Sequence, residues 1–355
     1  MRPIWTTPAL ALCGALSACV GLIGGADDPG VDASTRDARG AVDAVLPGDA
    51  AGRADRATPP VDAGPPPPPP YPGVPGVSPT LGGCPVFPPD DPWNRDITSA
   101  PVRADSAAIL ANIRAHGDDM LRPDFGSNPA YGIPITLAPA SQPPVPLEIT
   151  KYPDESDHGP FPIPDNARIE GGGDDHVLVV HQGACVLYEL YRAQHNGGRW
   201  SAGAAARFDL RTNTERPQTW TSADQAGLPI TPGLARYEEV AAGEIRHALR
   251  VTFNHTRAAW IRPATHPGGE NDRTAPPMGL RLRMRASYDI GGLTGQARVI
   301  AEALKRYGLF VADTGTNWFI SGDTDRRWVD RDLAQLRDIP GSAFEVLDTG
   351  PLLTR

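Results

Sequence analysis

From Val20 to about Leu81 the chain is built of Ala, Asp, Gly and Pro without apolar periodicity. Such a stretch buries too little apolar surface to offset the entropy of ordering it, so it is expected to stay disordered. Pro65–Pro70 is an unbroken proline run, which favours a stiff extended spacer. Any fold must therefore come from the residues that follow. The chain has 355 residues, which leaves room for one large domain, or two closely joined halves, starting near Gly83-Cys84-Pro85. The expected division is a signal segment over 1–18, a tether over 19–81 and a single globular domain over 82–355.

Ahead of the tether, Arg2 precedes a run of small and apolar residues that ends in Leu16-Ser17-Ala18-Cys19. This layout resembles a bacterial secretory signal closing in a lipobox, with cleavage before Cys19 and lipid attached to that cysteine. The resemblance implies an exported protein anchored by acyl chains, at the outer membrane or cell surface. The apolar stretch is too short and broken for a membrane span. Cysteine usage agrees with export. Cys13 is lost with the signal and Cys19 is lipidated, which leaves Cys84 and Cys185 to form one disulfide in an oxidising compartment.

The formal charge of −9 and a pI near 5.4 argue against nucleic acid as a partner, since phosphate binding needs a basic surface. Part of that charge belongs to the tether, where Asp residues between Asp27 and Asp62 outnumber Arg36, Arg39, Arg53 and Arg56.

Within the domain, Ser106–Ala115 reads as a helix with an Ile109, Leu110, Ile113 stripe, capped by Ser106 or Asp105. Prolines recur from Tyr131 to Phe161 and exclude long helices there. His176–Val180 and Ala184–Arg192 read as strands joined through Gln182-Gly183, a two-residue hairpin turn. That turn pairs His176 with Glu189, Leu178 with Leu187, and Val180 with Cys185. Further strands are expected at Ala206–Leu210, Ile245–Phe253, Leu309–Ala312, Trp318–Ser321 and Phe344–Leu347. Leu280–Ser287 alternates strictly and predicts a half-buried strand with one arginine-rich face. Gln296–Arg306 predicts an amphipathic helix with Val299, Ile300, Ala303 and Leu304 inward and Gly308 as its stop. Asp330–Arg337 is a last helix. The expected fold class is α+β, mostly antiparallel and sandwich-like, with short peripheral helices near both ends.

Several chemistries are excluded. The chain has no Gly-x-Ser-x-Gly elbow, phosphate loop, His-Glu-x-x-His or paired Cys-x-x-Cys. Gly171-Gly172-Gly173 precedes a strand and does not open a helix.

Three groups of residues remain as candidates. The first is His176, Glu189 and His247, with His266 downstream. Imidazoles and a carboxylate on one sheet face can hold a divalent metal ion or serve as acid and base; alternatively each is a separate hydrogen-bonded sheet residue. The second is the loop Asp154-Glu155-Ser156-Asp157-His158, where Asp154 or Glu155 can act on a glycosidic bond or bind calcium, or form a solvated turn. The third is the long loop from Arg216 through Trp220 and Asp224 to Tyr237. Trp220 can stack on a sugar with Arg216 and Asp224 on its hydroxyls, or the loop is structural. Trp93, Trp200, Trp260, Trp318 and Trp328 read as core or rim.

The runs Trp220-Thr221-Ser222-Ala223-Asp224, Gly227-Leu228-Pro229-Ile230, Pro232-Gly233-Leu234, Arg236-Tyr237 and His247-Ala248-Leu249-Arg250 resemble a group of exported bacterial proteins of unknown function. The likeness covers nearly all of residues 84–348, including Pro277–Leu282 and Tyr307-Gly308. It implies an exported single domain and no particular reaction. Address, spacer and polar loops together predict a surface-anchored carbohydrate-active domain, hydrolase or lyase, with a polysaccharide substrate. The alternatives are a non-catalytic envelope module that binds glycan or protein, and a metal-dependent hydrolase of another extracellular polymer.

Overall fold

The structure is a computed structural model and describes residues 78–355. The expected signal segment, Cys19 and all but the end of the expected tether lie outside the described residues. Ordered structure starts slightly earlier than Gly82, because β1 (Thr80–Leu81) pairs with β2 (Cys84–Pro85). No helix among the described residues is long and apolar enough to cross a membrane.

The architecture is α+β and mostly β, in sandwich-like layers. The middle layer is a four-stranded sheet in the order β10 (Ala204–Asp209), β7 (Val186–Tyr191), β6 (Val177–His181), β4 (Ile135–Ala138). Val177, Leu178, Val179 and Val180 are all fully buried, so β6 is covered on both faces. Val177 and Val179 join Phe161, Trp200 and Ala202 in one core. That core is closed by a small sheet of β5 (Leu147–Ile149), β9 (Arg199–Ala202) and β8 (Gln194–Asn196). Val180 and Leu187 point the other way, into the main core.

The main core is built on a six-stranded mixed sheet. Its order is β17 (Phe344–Val346), β14 (Arg281–Met284), β15 (Leu309–Thr314), β11 (Leu249–Phe253), β16 (Phe319–Ile320), β3 (Arg122–Pro123). β11 runs parallel to β15, and the helix α3 (Gly295–Arg306) supplies the connection between β14 and β15. Ile300, Ala303 and Leu304 are buried as expected, with Ala297 and Ala301, while Val299 is half-buried. Gly308 ends the helix at φ +67° and donates its N–H to the Ala303 carbonyl. A two-stranded pair, β12 (Arg257–Trp260) with β13 (Pro277–Met278), completes the strands.

The helix α1 (Ser106–Ala115) has the expected bounds and buries Ile109, Leu110 and Ile113. Neither proposed cap acts: the Asp105 carboxylate takes the Arg103 guanidinium, and Ser106 Oγ accepts the Val346 N–H. A short α2 (Tyr237–Ala241) follows the long loop. The last expected helix is split into α4 (Asp330–Ala334) and a 3-10 turn over Gln335–Asp338.

Three expectations are corrected. The β6–β7 hairpin is shifted by two residues, so that Leu178 faces Glu189, Val180 faces Leu187, and His176 lies before the strand. The cause is the turn, which takes four residues, Gln182–Cys185. Cys185 adopts φ +50° and bonds to Cys84, the expected disulfide. A shift of two keeps every side chain on its face. His247 is not on a strand either, because Ala248 gives its N–H to Trp93 and the ladder begins at Leu249. Finally, the arginine face of β14 is buried. Arg281 bonds the Tyr307 and Pro92 carbonyls, and Arg283 bonds Glu345 with the Ile97 and Thr98 carbonyls.

Candidate functional site

Charged side chains gather where the approach to β6 meets the six-stranded sheet. Arg250, on β11, is 5% exposed, and Asp224, from the long loop, is fully buried. Arg250 Nε donates to Asp224 Oδ2 at 2.9 Å, Nη2 donates to Oδ1, and Nη1 donates to Ser321 Oγ. This two-pronged contact is the strong form of a carboxylate–guanidinium pair. The loop is shaped to deliver Asp224. Its N–H is held by Ser222 Oγ at 3.0 Å, and its carbonyl accepts the Gly227 N–H and the Thr221 hydroxyl.

Asp313 sits near the end of β15. The β11–β15 register slips between Val251 and Thr252, which sets Thr252 opposite Asp313. Asp313 lies beside Asp224, and its carboxyl is pushed well above the usual range. Burial is the largest cause, the neighbouring Asp224 charge adds to it, Arg250 opposes it, and Asp174 adds again. Asp313 Oδ1 accepts the Thr314 N–H at 2.7 Å. Asp313 remains half-buried, whereas Asp224 is sealed.

His176 closes the other side. Nδ1 lies 2.6 Å from Glu170 Oε2 and Nε2 lies 3.2 Å from the Ala223 carbonyl oxygen. Both partners are acceptors, so both ring nitrogens donate and the ring is an imidazolium. Burial opposes that charge. The Glu170 hydrogen bond and charge, with Asp174 and Asp224, outweigh it and push His176 up to about 9. The Glu170 carboxyl is half-buried, which raises it, yet His176 outweighs that and holds it below the usual range.

Of the residues expected to act together, His176 and Glu189 both face the main sheet, but they do not share a ligand. Glu189 is fully buried and accepts N–H groups of Ile230 and Thr231 and the Thr231 hydroxyl, all at 2.8 Å. Burial pushes it up to about 7 against those three bonds. It anchors the long loop. His247 is buried elsewhere, its ring held by Glu239 at 2.9 Å and the Ala248 carbonyl at 2.8 Å. His266 instead meets Arg355 at 2.8 Å, with Glu155 3.7 Å away. No three His, Cys, Asp or Glu among the described residues are placed to hold a metal ion. The expected metal set of His176, Glu189, His247 and His266 is thus dispersed by the fold.

The two candidate loops do come together. Arg216 is buried and bonds Asp157, the Glu155 carbonyl and the Thr221 carbonyl, and its guanidinium lies 5.5 Å from the Trp220 ring. Arg216 and Asp224 are consequently spent on protein partners and not on a ligand. Asp154 is exposed on a 3-10 turn. Tyr237 packs edge-on to Trp328 beneath Arg327. The five tryptophans assigned to core or rim are all buried.

Sequence reasoning missed Asp313, Glu170, Asp174 and the role of Arg250. Only Arg250 carried a signal, as the last residue of the His247–Arg250 run. No protein-family model, curated protein or solved structure matches this chain.

Proposed function

We propose that this chain is an exported, lipid-anchored hydrolase of a glycosidic polymer, with Asp313 as its general acid. The observation that carries the reading is the half-buried Asp313 carboxyl beside the Arg250-clamped Asp224, pushed up by burial and by that neighbouring charge. A carboxyl kept neutral near pH 7 is what protonation of a departing sugar oxygen needs. Asp224 cannot attack a substrate, since it is sealed and both its oxygens face Arg250. Asp174 is the second carboxylate. It is half-buried and its charge acts on both Asp313 and His176.

In the proposed step Asp313 gives its proton to the glycosidic oxygen as the bond to the anomeric carbon breaks. Water adds to that carbon, and Asp174 takes the water's proton. The products are a free hydroxyl and a reducing end. The carboxylates of Asp124, Glu170, Asp174 and Asp224 outnumber the cations His176 and Arg250 around the site. That excess repels the uronate substrates of polysaccharide lyases, which favours the hydrolase over the lyase. The lipobox at Leu16–Cys19 and the likeness to exported bacterial proteins support the address.

The test is release of reducing ends from a panel of neutral and amino-sugar polymers, including peptidoglycan. At least one is cleaved by the wild-type chain, and Asp313→Asn lowers the rate about 100-fold or more. Cleavage of none, or an Asp313→Asn variant as active as wild type, overturns the reading.

A further inference from the structure

Glu170 and His176 are joined by both backbone and side chain. The Glu170 N–H is donated to the His176 carbonyl at 2.8 Å, and Glu170 Oε2 accepts the His176 N–H at 3.2 Å and its ring Nδ1–H at 2.6 Å. These bonds close a loop over residues 171–175. The loop opens with Gly171-Gly172-Gly173, a run that gains little from packing. A Cβ at Gly173 would meet nothing within 4 Å, and one at Gly172 would meet only Glu170. Glycine backbone is costly to order, so a run without contacts of its own has to be held from its ends. The far end is pinned to the end of β7, where Arg192 and Ala193 donate N–H groups to the Asp174 and Asp175 carbonyls at 2.8 and 3.0 Å. Asp174, the second carboxylate of the proposed site, sits on this loop.

The same imidazole reaches across to the long loop. Nε2 lies 3.2 Å from the Ala223 carbonyl oxygen, and the N–H of that same peptide unit, which belongs to Asp224, is held by Ser222 Oγ at 3.0 Å. Among the described residues the Ala223 carbonyl has no other hydrogen bond. Both polar ends of one planar peptide are thereby fixed, and that plane sets where the Asp224 side chain leaves the backbone. His176 can donate there because Glu170 takes its other nitrogen. Arg250 holds the carboxylate end of Asp224, and His176 holds the backbone end.

We propose that the Glu170–His176 pair is the positioning element of the Asp313 site, setting Asp174 through the glycine loop it closes and Asp224 through the Ala223 carbonyl. His176 does not reach the reacting atoms, since it is buried and both its nitrogens are spent on protein partners. Asp224 and Asp174 are the carboxylates whose charges act on Asp313, and Arg250 is the cation that opposes them. A pair that fixes both carboxylates fixes the field at Asp313 without touching it. The chemistry of this role rests on the Asp313 reading, whereas the positioning itself is measurable without turnover.

The full chain, carrying carbon-13 at its aspartate carboxyls, is titrated by NMR, with the Asp313 signal assigned from Asp313→Asn. His176→Leu removes the hold on both loops and is expected to lower the Asp313 midpoint by about one pH unit or more, as Asp174 and Asp224 draw away. Glu170→Gln keeps the shape of its side chain and is expected to lower the midpoint by less. It serves as the second variant if His176→Leu does not fold. A pair that is merely structural lowers the thermal midpoint of these variants and leaves the Asp313 titration where it is. That result in the folded variants overturns the proposal, as does an upward movement. A chain that cleaves no polymer yet shows the downward movement loses the Asp313 reading and keeps the positioning role.

Discussion

Arg250 and Asp224 form a buried two-pronged ion pair between a strand of the main sheet and the long loop that crosses it. The pair fixes the loop to the sheet and sets one of the charges that push the Asp313 carboxyl up.

Arg250→Leu leaves the Asp224 charge buried and uncompensated. Unfolding in urea should show a loss of about 3–5 kcal/mol. Adding Asp224→Asn should recover part of that loss, since the stranded charge is then gone. A single variant within about 0.5 kcal/mol of wild type would show that the pair holds nothing together.

His176 gives stability a pH dependence with a defined sign. Its folded value of about 9 exceeds the ordinary 6.5, so protonation favours the native state. The contribution is complete below about pH 6.5 and is lost as pH rises through about 9, amounting to about 3 kcal/mol at most. The difference in unfolding free energy between wild type and His176→Gln should therefore shrink across that window. A difference that stays flat from pH 6 to 9.5 rules out the imidazolium.

Much of the scaffold was readable from the chain, and most of the site was not. The helix over Gly295–Arg306 and the one over Ser106–Ala115 have local causes, namely apolar spacing and a glycine stop. The β6–β7 pair was recognisable by composition, but its register depends on a four-residue turn, Gln182–Cys185, where the residues themselves suggest a two-residue one. Asp313 and Asp224 lie 89 positions apart on a strand and a loop, and nothing near either residue marks it as the other's partner. His247 shows the converse. It sits in a sequence run that reads as a strand, and a single hydrogen bond from Ala248 to Trp93 takes it out of the ladder.

The Cys84–Cys185 bond spans a sequence separation of 101. Closing a loop of about 100 residues removes roughly 4–5 kcal/mol of unfolded-chain entropy, of which measured losses recover about 2–5 kcal/mol. The double variant Cys84→Ser with Cys185→Ser should lose that much in chemical denaturation, and wild type under strong reductant should match it. Equal stability with and without the bond would mean that the unfolded chain is not constrained by it.

Gly308 has φ +67°, and a Cβ there would come within 2.0 Å of the Leu282 carbonyl oxygen. Gly308→Ala should cost at least about 2 kcal/mol, read as a lowered thermal midpoint, because both backbone strain and a clash with fixed main chain are imposed. Gly243, also at positive φ but with open space around it, is the control for strain alone. Equal losses at the two positions would show that the close approach to β14 is not what demands the glycine.

The join between Cys84 and the β6–β7 turn also decides how the domain answers a mechanical load. A pull on the chain ahead of residue 84 can strip away the pairing of Thr80–Leu81 and the bonds that the Pro79 and Gly82 carbonyls accept. Beyond it, tension divides between the main chain and a covalent link into the half-buried Cys185, at the turn of the β6–β7 hairpin. The load then enters the strand ladder through its turn and passes to the fully buried Val177–Val180, so the domain resists as a block instead of unravelling from its leading end.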